Sequence, residues 1–220
     1  MMRRGPLLTL AAAAALGIGL LFVNISNEED AADPAAVTSV PAAPAPANSA
    51  APAPAADPAA KPFPPKADYV GQVPIATGQI TLEVTVQGDK AVAYACDGNT
   101  IETWLQGTAK DGTVALTGKN DAKLDGVNDG GNVNGTLVIG GKSWNFTSAP
   151  VAPPAGLYIS NEGGTRTSWI VDGNGTVTGV QRAPDGTTSS APVLRPDGTA
   201  VVGGVTVQAT QVSGGDQNVF

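Results

Sequence analysis

The chain has 220 residues, no histidine, a single cysteine and a formal charge of −7. The missing histidine removes the usual general base at neutral pH, the partner of serine and cysteine nucleophiles, and the commonest metal ligand. One cysteine makes neither an internal disulfide nor a thiolate metal cluster, and the acidic balance argues against nucleic acid, which needs clustered Lys and Arg.

Residues 1–26 read as a cytoplasmic stub and a signal-anchor helix. Arg3 and Arg4 precede a charge-free run from Leu7 to Val23. With its flanks the run reaches about 20 residues, enough to cross a bilayer as a helix. The predicted lipid contact covers residues 7–25, and the positive charges place the N-terminus in the cytoplasm. The alternative is a cleaved signal peptide. It is disfavoured because Asn24-Ile25-Ser26-Asn27-Glu28 is a poor cleavage site.

Residues 27–68 are almost all Ala, Pro and small polar residues, with prolines from Pro34 to Pro65. Too few large apolar side chains are present to repay backbone ordering, so this segment is expected to be a disordered linker. Proline biases it to an extended form that reaches at most ~120 Å. The expected role is a spacer between the bilayer and a folded domain.

From Tyr69 the pattern becomes β. Ile80, Leu82, Val84 and Val86 alternate with Thr81, Glu83, Thr85 and Gln87, a period of two that predicts a strand with one buried face. Lys90 to Gln106 reads as strand, tight turn at Asp97-Gly98-Asn99, strand. Further strands are predicted at Val114–Leu116, Asn132–Ile139 and Ser143–Thr147, separated by Asp-Gly and Gly-Gly turns. The predicted fold class is therefore all-β, an antiparallel meander forming a small barrel or sandwich. The expected division is a β-rich domain over 69–148 and a second β-rich segment over 149–220, possible as part of the same domain. Between them Ser148 to Gly156 breaks the pattern. In the second segment strands are expected at Leu157–Ile159, Thr167–Asp172, Thr176–Arg182, Ala191–Leu194 and Val205–Gln211, followed by a frayed tail from Ser213.

Candidate chemistry is sparse. Asp121, Asp125, Asn128, Asp129 and Asn132 form an oxygen-rich cluster, but the spacing is not that of a calcium loop and Asp or Asn beside Gly is ordinary turn chemistry. Asp97 and Glu102 flank one turn, where acid–base work would need burial to separate their pKa values. Cys96 continues the alternation Val92, Tyr94, Cys96 and reads as a buried structural thiol. Asn134, Asn145 and Asn174 match glycosylation sequons, a weak signal. Asp97–Gln106 and Asp172–Gln181 share Asp, Gly, Asn, Thr and Gln in register, an echo explained by common turn chemistry ahead of duplication. The bulky residues Tyr94, Trp104, Trp144 and Trp169 are expected in the core, or as candidate contacts for a ligand or partner. No cofactor, metal or catalytic residue is assigned.

The short Arg-Arg start, the Ala-rich anchor, the Ala-Pro spacer, and the segments AVAYACDG and ETWLQG (91–107) with GGKSWNF (140–146) together resemble uncharacterised, membrane-anchored envelope proteins of actinobacteria. That resemblance implies a plasma-membrane location and an extracytoplasmic C-terminal domain, and brings no activity or site residues. The leading expectation is a non-enzymatic, single-pass module that meets an envelope protein or cell-wall component. The rivals are a carrier of a small apolar or sugar-like ligand with a lipocalin-like barrel, and a histidine-independent enzyme.

Overall fold

The computed structural model describes residues 60–217. The predicted anchor and most of the spacer lie outside the described residues. No helix among the described residues is long and apolar enough to cross a membrane.

Eight antiparallel strands form a closed meander barrel: β1 (Lys66–Ile75), β2 (Gly78–Gln87), β3 (Lys90–Cys96), β4 (Glu102–Lys110), β5 (Thr113–Gly118), β6 (Lys123–Asn128), β7 (Val133–Ile139) and β8 (Lys142–Val151). Closure comes from β1 pairing with β8, Asp68 opposite Val151 and Val70 opposite Ala149. Inward residues follow the period of two. Ile80, Leu82, Val84 and Val86 of β2 meet the small Ala91, Ala93 and Ala95 of β3, with Leu105, Leu116, Leu124, Leu137 and Phe146 from the other strands. An eight-stranded barrel is just wide enough for side chains to fill, and this one is filled. Where neighbouring backbones come closest the inward position is glycine. A Cβ on Gly107 would strike the Ala115 carbonyl, and one on Gly135 the Asp125 carbonyl.

Lys61 to Pro65 close one end of the barrel. The Lys61 amide donates to the Asn128 carbonyl at 2.8 Å, and the Asn128 side-chain amide donates back to the carbonyls of Lys61 and Pro62. Phe63 stacks edge-on against Tyr69 at 6.0 Å. Folded packing therefore begins earlier than the change of pattern at Tyr69.

A second sheet has the order β12-β11-β10-β9-β15, built from β9 (Gly156–Glu162), β10 (Thr165–Val171), β11 (Val177–Arg182), β12 (Thr188–Ser190) and β15 (Thr210–Gln211). A separate hairpin joins β13 (Thr199–Val202) to β14 (Val205–Gln208). One face of the second sheet packs Leu157, Ile170 and Val180 against Val70, Val92, Tyr94, Cys96 and Trp104 on the barrel's outer wall. Its opposite face packs Trp169 and Val171 with Leu194, Ala200, Val202 and Val207.

The structure changes four readings of the sequence. The β2 strand is buried on both faces, because Thr81, Glu83 and Thr85 lie on its outer side under the second sheet, whereas β5 keeps clean alternation with its outer side in solvent. The oxygen-rich stretch contains the strand β6, its Leu124 inside the barrel. The strand expected at Ala191–Leu194 does not form. Pro192 has no N–H for a ladder, and its carbonyl instead accepts the Trp169 indole N–H at 2.8 Å. The tail is docked through Gln217, since Ser213 Oγ donates to Gln87 Oε1 and Gln217 Nε2 donates to the Ala91 carbonyl.

Glu83 is fully buried on that covered wall, between Val70 and Tyr94 in the ladders, and neither carboxyl oxygen has a hydrogen-bond partner among the described residues. Burial, and then the nearby Asp68 charge, push its pKa well above 4.5. The folded chain therefore holds a proton that the unfolded chain releases, and stability falls as pH rises from about the unfolded value toward the folded one. Denaturant titrations from pH 4.5 upward should show this decline. Glu83→Gln should flatten it and be the more stable chain at pH 8; an unchanged slope would mean that Glu83 does not carry it.

Candidate functional site

The barrel meets the second sheet along a seam, and a cluster of charged and aromatic side chains lies there. Glu102 opens β4 directly after the turn that Asp97 organises. Burial alone would raise the Asp97 pKa. The amides of Asn99, Ile101 and Thr100 all donate to its Oδ1 and outweigh that, holding the pKa below the usual value. Asp172 caps its turn in the same way, taking the amides of Asn174 and Thr176. The two echoing segments thus share turn chemistry in space as well as in sequence. The β3–β4 turn is also fastened to the second sheet, since Ser190 Oγ donates to the Gly98 carbonyl at 2.7 Å.

The Glu102 side chain is fully buried and sits between two arginines of the second sheet. Arg182 Nε donates to its Oε2 at 2.6 Å, and Arg166 Nη2 to its Oε1 at 3.3 Å. The Tyr94 hydroxyl and the Trp104 indole N–H also donate to Oε1, at 3.4 and 3.3 Å. Arg166 lies over the Trp104 ring, 5.3 Å from its centroid, and Tyr94 packs on Trp104 at 4.6 Å between centroids. A cavity of about 240 Å³ opens beside this group, lined by Glu102, Thr103, Trp104, Arg166 and Arg182 with Lys119 and Asn120 of the β5–β6 turn. Asn120 has the left-handed φ of 55°, which Asn tolerates better than most residues.

The four aromatic candidates do not converge. Tyr94 and Trp104 meet at the seam, and Trp104 lines the cavity. Trp144 is half-buried against the barrel core. Trp169 is fully buried in the cluster on the far face of the second sheet. A more apolar groove of about 380 Å³ lies on that far side, lined in part by Tyr158, Val171, Val177, Leu194 and Arg195. The large exposed apolar residues among those described are Val177, Val193, Val201 and Val205, all in the C-terminal part.

Of the remaining polar candidates, Asp129 is taken up by its own turn. Asp129 accepts the amides of Gly131 and Asn132 and the side-chain amide of Asn134, and those backbone bonds hold its pKa below the usual value. Among the described residues no group of three or more His, Cys, Asp or Glu could hold a metal ion. Cys96 is fully buried, and burial pushes its thiol up to about 12.

Sequence reasoning weighed Glu102 only against Asp97. It missed Arg166 and Arg182, which are 64 and 80 positions away from Glu102. A signal was present. Each arginine shares the strand phase of apolar residues that pack on the barrel, Arg166 with Ile170 and Arg182 with Val180. No protein-family model, curated protein or solved structure matches the chain significantly.

Two outcomes are expected. Glu102→Ala leaves two guanidiniums without their shared carboxylate, which should cost about 2–3 kcal/mol in chemical denaturation, below the usual loss for a broken buried pair because both arginines are partly solvated. A thiol reagent should label Cys96 only under denaturing conditions; rapid labelling of the native chain would contradict its burial.

Proposed function

We propose that the chain is a single-pass, membrane-tethered module of the cell envelope that works by binding rather than by catalysis, holding an envelope protein or acting as an accessory to one. The observation that carries this reading is the filled barrel. A lipocalin-like carrier needs a chamber where Tyr69, Leu82, Leu105, Leu124, Leu137 and Phe146 instead meet each other. The carboxylates argue in the same direction. Asp97 and Asp129 are occupied by turn amides, and Glu102 by two arginines. Asp68 and Glu83 are sealed beneath the second sheet, out of reach of a substrate. The tether and the spacer are sequence expectations that complete the picture: they hold a surface-acting module near the membrane and raise its local concentration there.

The test uses the full chain in native membranes. A photo-crosslinking residue placed at exposed positions of the C-terminal part, Val193 and Val205, should give a defined adduct with one envelope protein. The same residue at Thr136 on the barrel's far wall should not. The absence of adducts at every surface position, together with a small molecule released on denaturation, would favour the carrier.

A further inference from the structure

We propose that the seam cavity beside Glu102 binds a phosphate group. The inference rests on reading the chain as a binding module and names the chemistry of one of its ligands. Three cations line the cavity, Lys119, Arg166 and Arg182, against the one carboxylate of Glu102. Among the described lining residues Lys119 and Arg182 thus give the hollow a positive balance even with Arg166 committed elsewhere, in a chain whose formal charge is −7. That sign suits a phosphomonoester, which carries roughly −1.5 to −2 near neutral pH.

The hollow is also organised for such a ligand. Glu102 is buried and fixes both guanidiniums, and the Gly186 carbonyl takes a further bond from Arg182 Nη1. The two guanidiniums are thus positioned without a ligand, which lowers the ordering cost of binding. Lys119 and Asn120 have no side-chain partner among the described residues, and both are exposed on the opposite wall. A tetrahedral oxyanion presents acceptors in several directions. It can therefore take N–H groups from the second sheet and the ammonium from the barrel turn together. The face of Trp104 is covered by Arg166 and Tyr94, so the site selects for charge and not for a stacked ring.

Because the donors come from both sides of the seam, phosphate should clamp the second sheet to the barrel. Ligand that binds only the folded state raises its stability.

Calorimetric titration of the full chain in detergent tests this with inorganic phosphate, glucose 6-phosphate and acetate at fixed ionic strength. Saturable binding of phosphate in the millimolar range or tighter is expected, accompanied by a rise in Tm, with acetate much weaker. Lys119→Ala should weaken binding roughly tenfold, the loss of one charge-assisted contact. Asn120→Asp adds a negative charge on the cavity wall at a position whose backbone aspartate tolerates, and should weaken it by a similar factor. Both side chains are exposed and make no bond or ion pair among the described residues, so each variant should unfold at the same temperature as the parent without ligand. Tighter binding of glucose 6-phosphate assigns the site to a phosphorylated sugar, and equal affinity assigns it to the phosphate group alone. Absence of saturation, equal binding of acetate, or unchanged affinity in both variants overturns the proposal. A crosslinked envelope partner that survives any of those results leaves the binding-module reading standing, whereas phosphate binding without a partner counts against that reading alone.

Discussion

The burial of β2 and β3 on both faces is the constraint from which the rest of this architecture follows. A small closed barrel buries one face of each strand, and most of this barrel does only that. Where the second sheet lies on the outer wall, Val92, Tyr94 and Cys96 join Leu157, Ile170 and Val180 in one apolar cluster. The second sheet has short edge strands and a small hairpin on its far side. Packing against the barrel gives its inner face an apolar partner, as a sheet of this size requires for independent stability.

The seam handles its charged groups in two opposite ways. Glu102 is ringed by donors and remains near enough to solvent for its arginines to be partly wet. Glu83 lies deeper, next to Asp68, with no partner among the described residues. A buried carboxyl of that kind keeps its proton because ionising it in a poor dielectric costs more than releasing the proton gains. The same interface thus contains a charge that locks it and a neutral acid that tolerates it.

Much of the barrel could be read from residue patterns, because inward apolar residues and Asp-Gly turns are local signals. Ile80 to Val86, the hairpin around Asp97, and the strands near Val114, Val133 and Phe146 were legible for that reason. β6 was not, since Asp125, Gly126 and Asn128 look like turn residues until the closing of the barrel places Leu124 inside. Thr81, Glu83 and Thr85 looked like a solvent face because nothing local announces the sheet that covers them. The Glu102 cluster was half legible. Its carboxylate stood beside a recognised turn, but the arginines that give it meaning arrive only through tertiary packing. The predicted anchor and its topology fall on residues outside those described, as does the spacer as far as Ala59.

The closed end of the barrel has a mechanical consequence. Asn128 grips Lys61 and Pro62 where the chain leads into β1, and β1 then pairs with β2 over ten residues from Lys66 to Ile75. Tension applied to the chain ahead of Lys61 would enter there and run along β1. The load would meet the β1–β2 ladder lengthwise, so its hydrogen bonds would share the strain side by side instead of opening one after another. In such an arrangement the Asn128 contacts yield first and act as a fuse, while the barrel wall behind them stays closed.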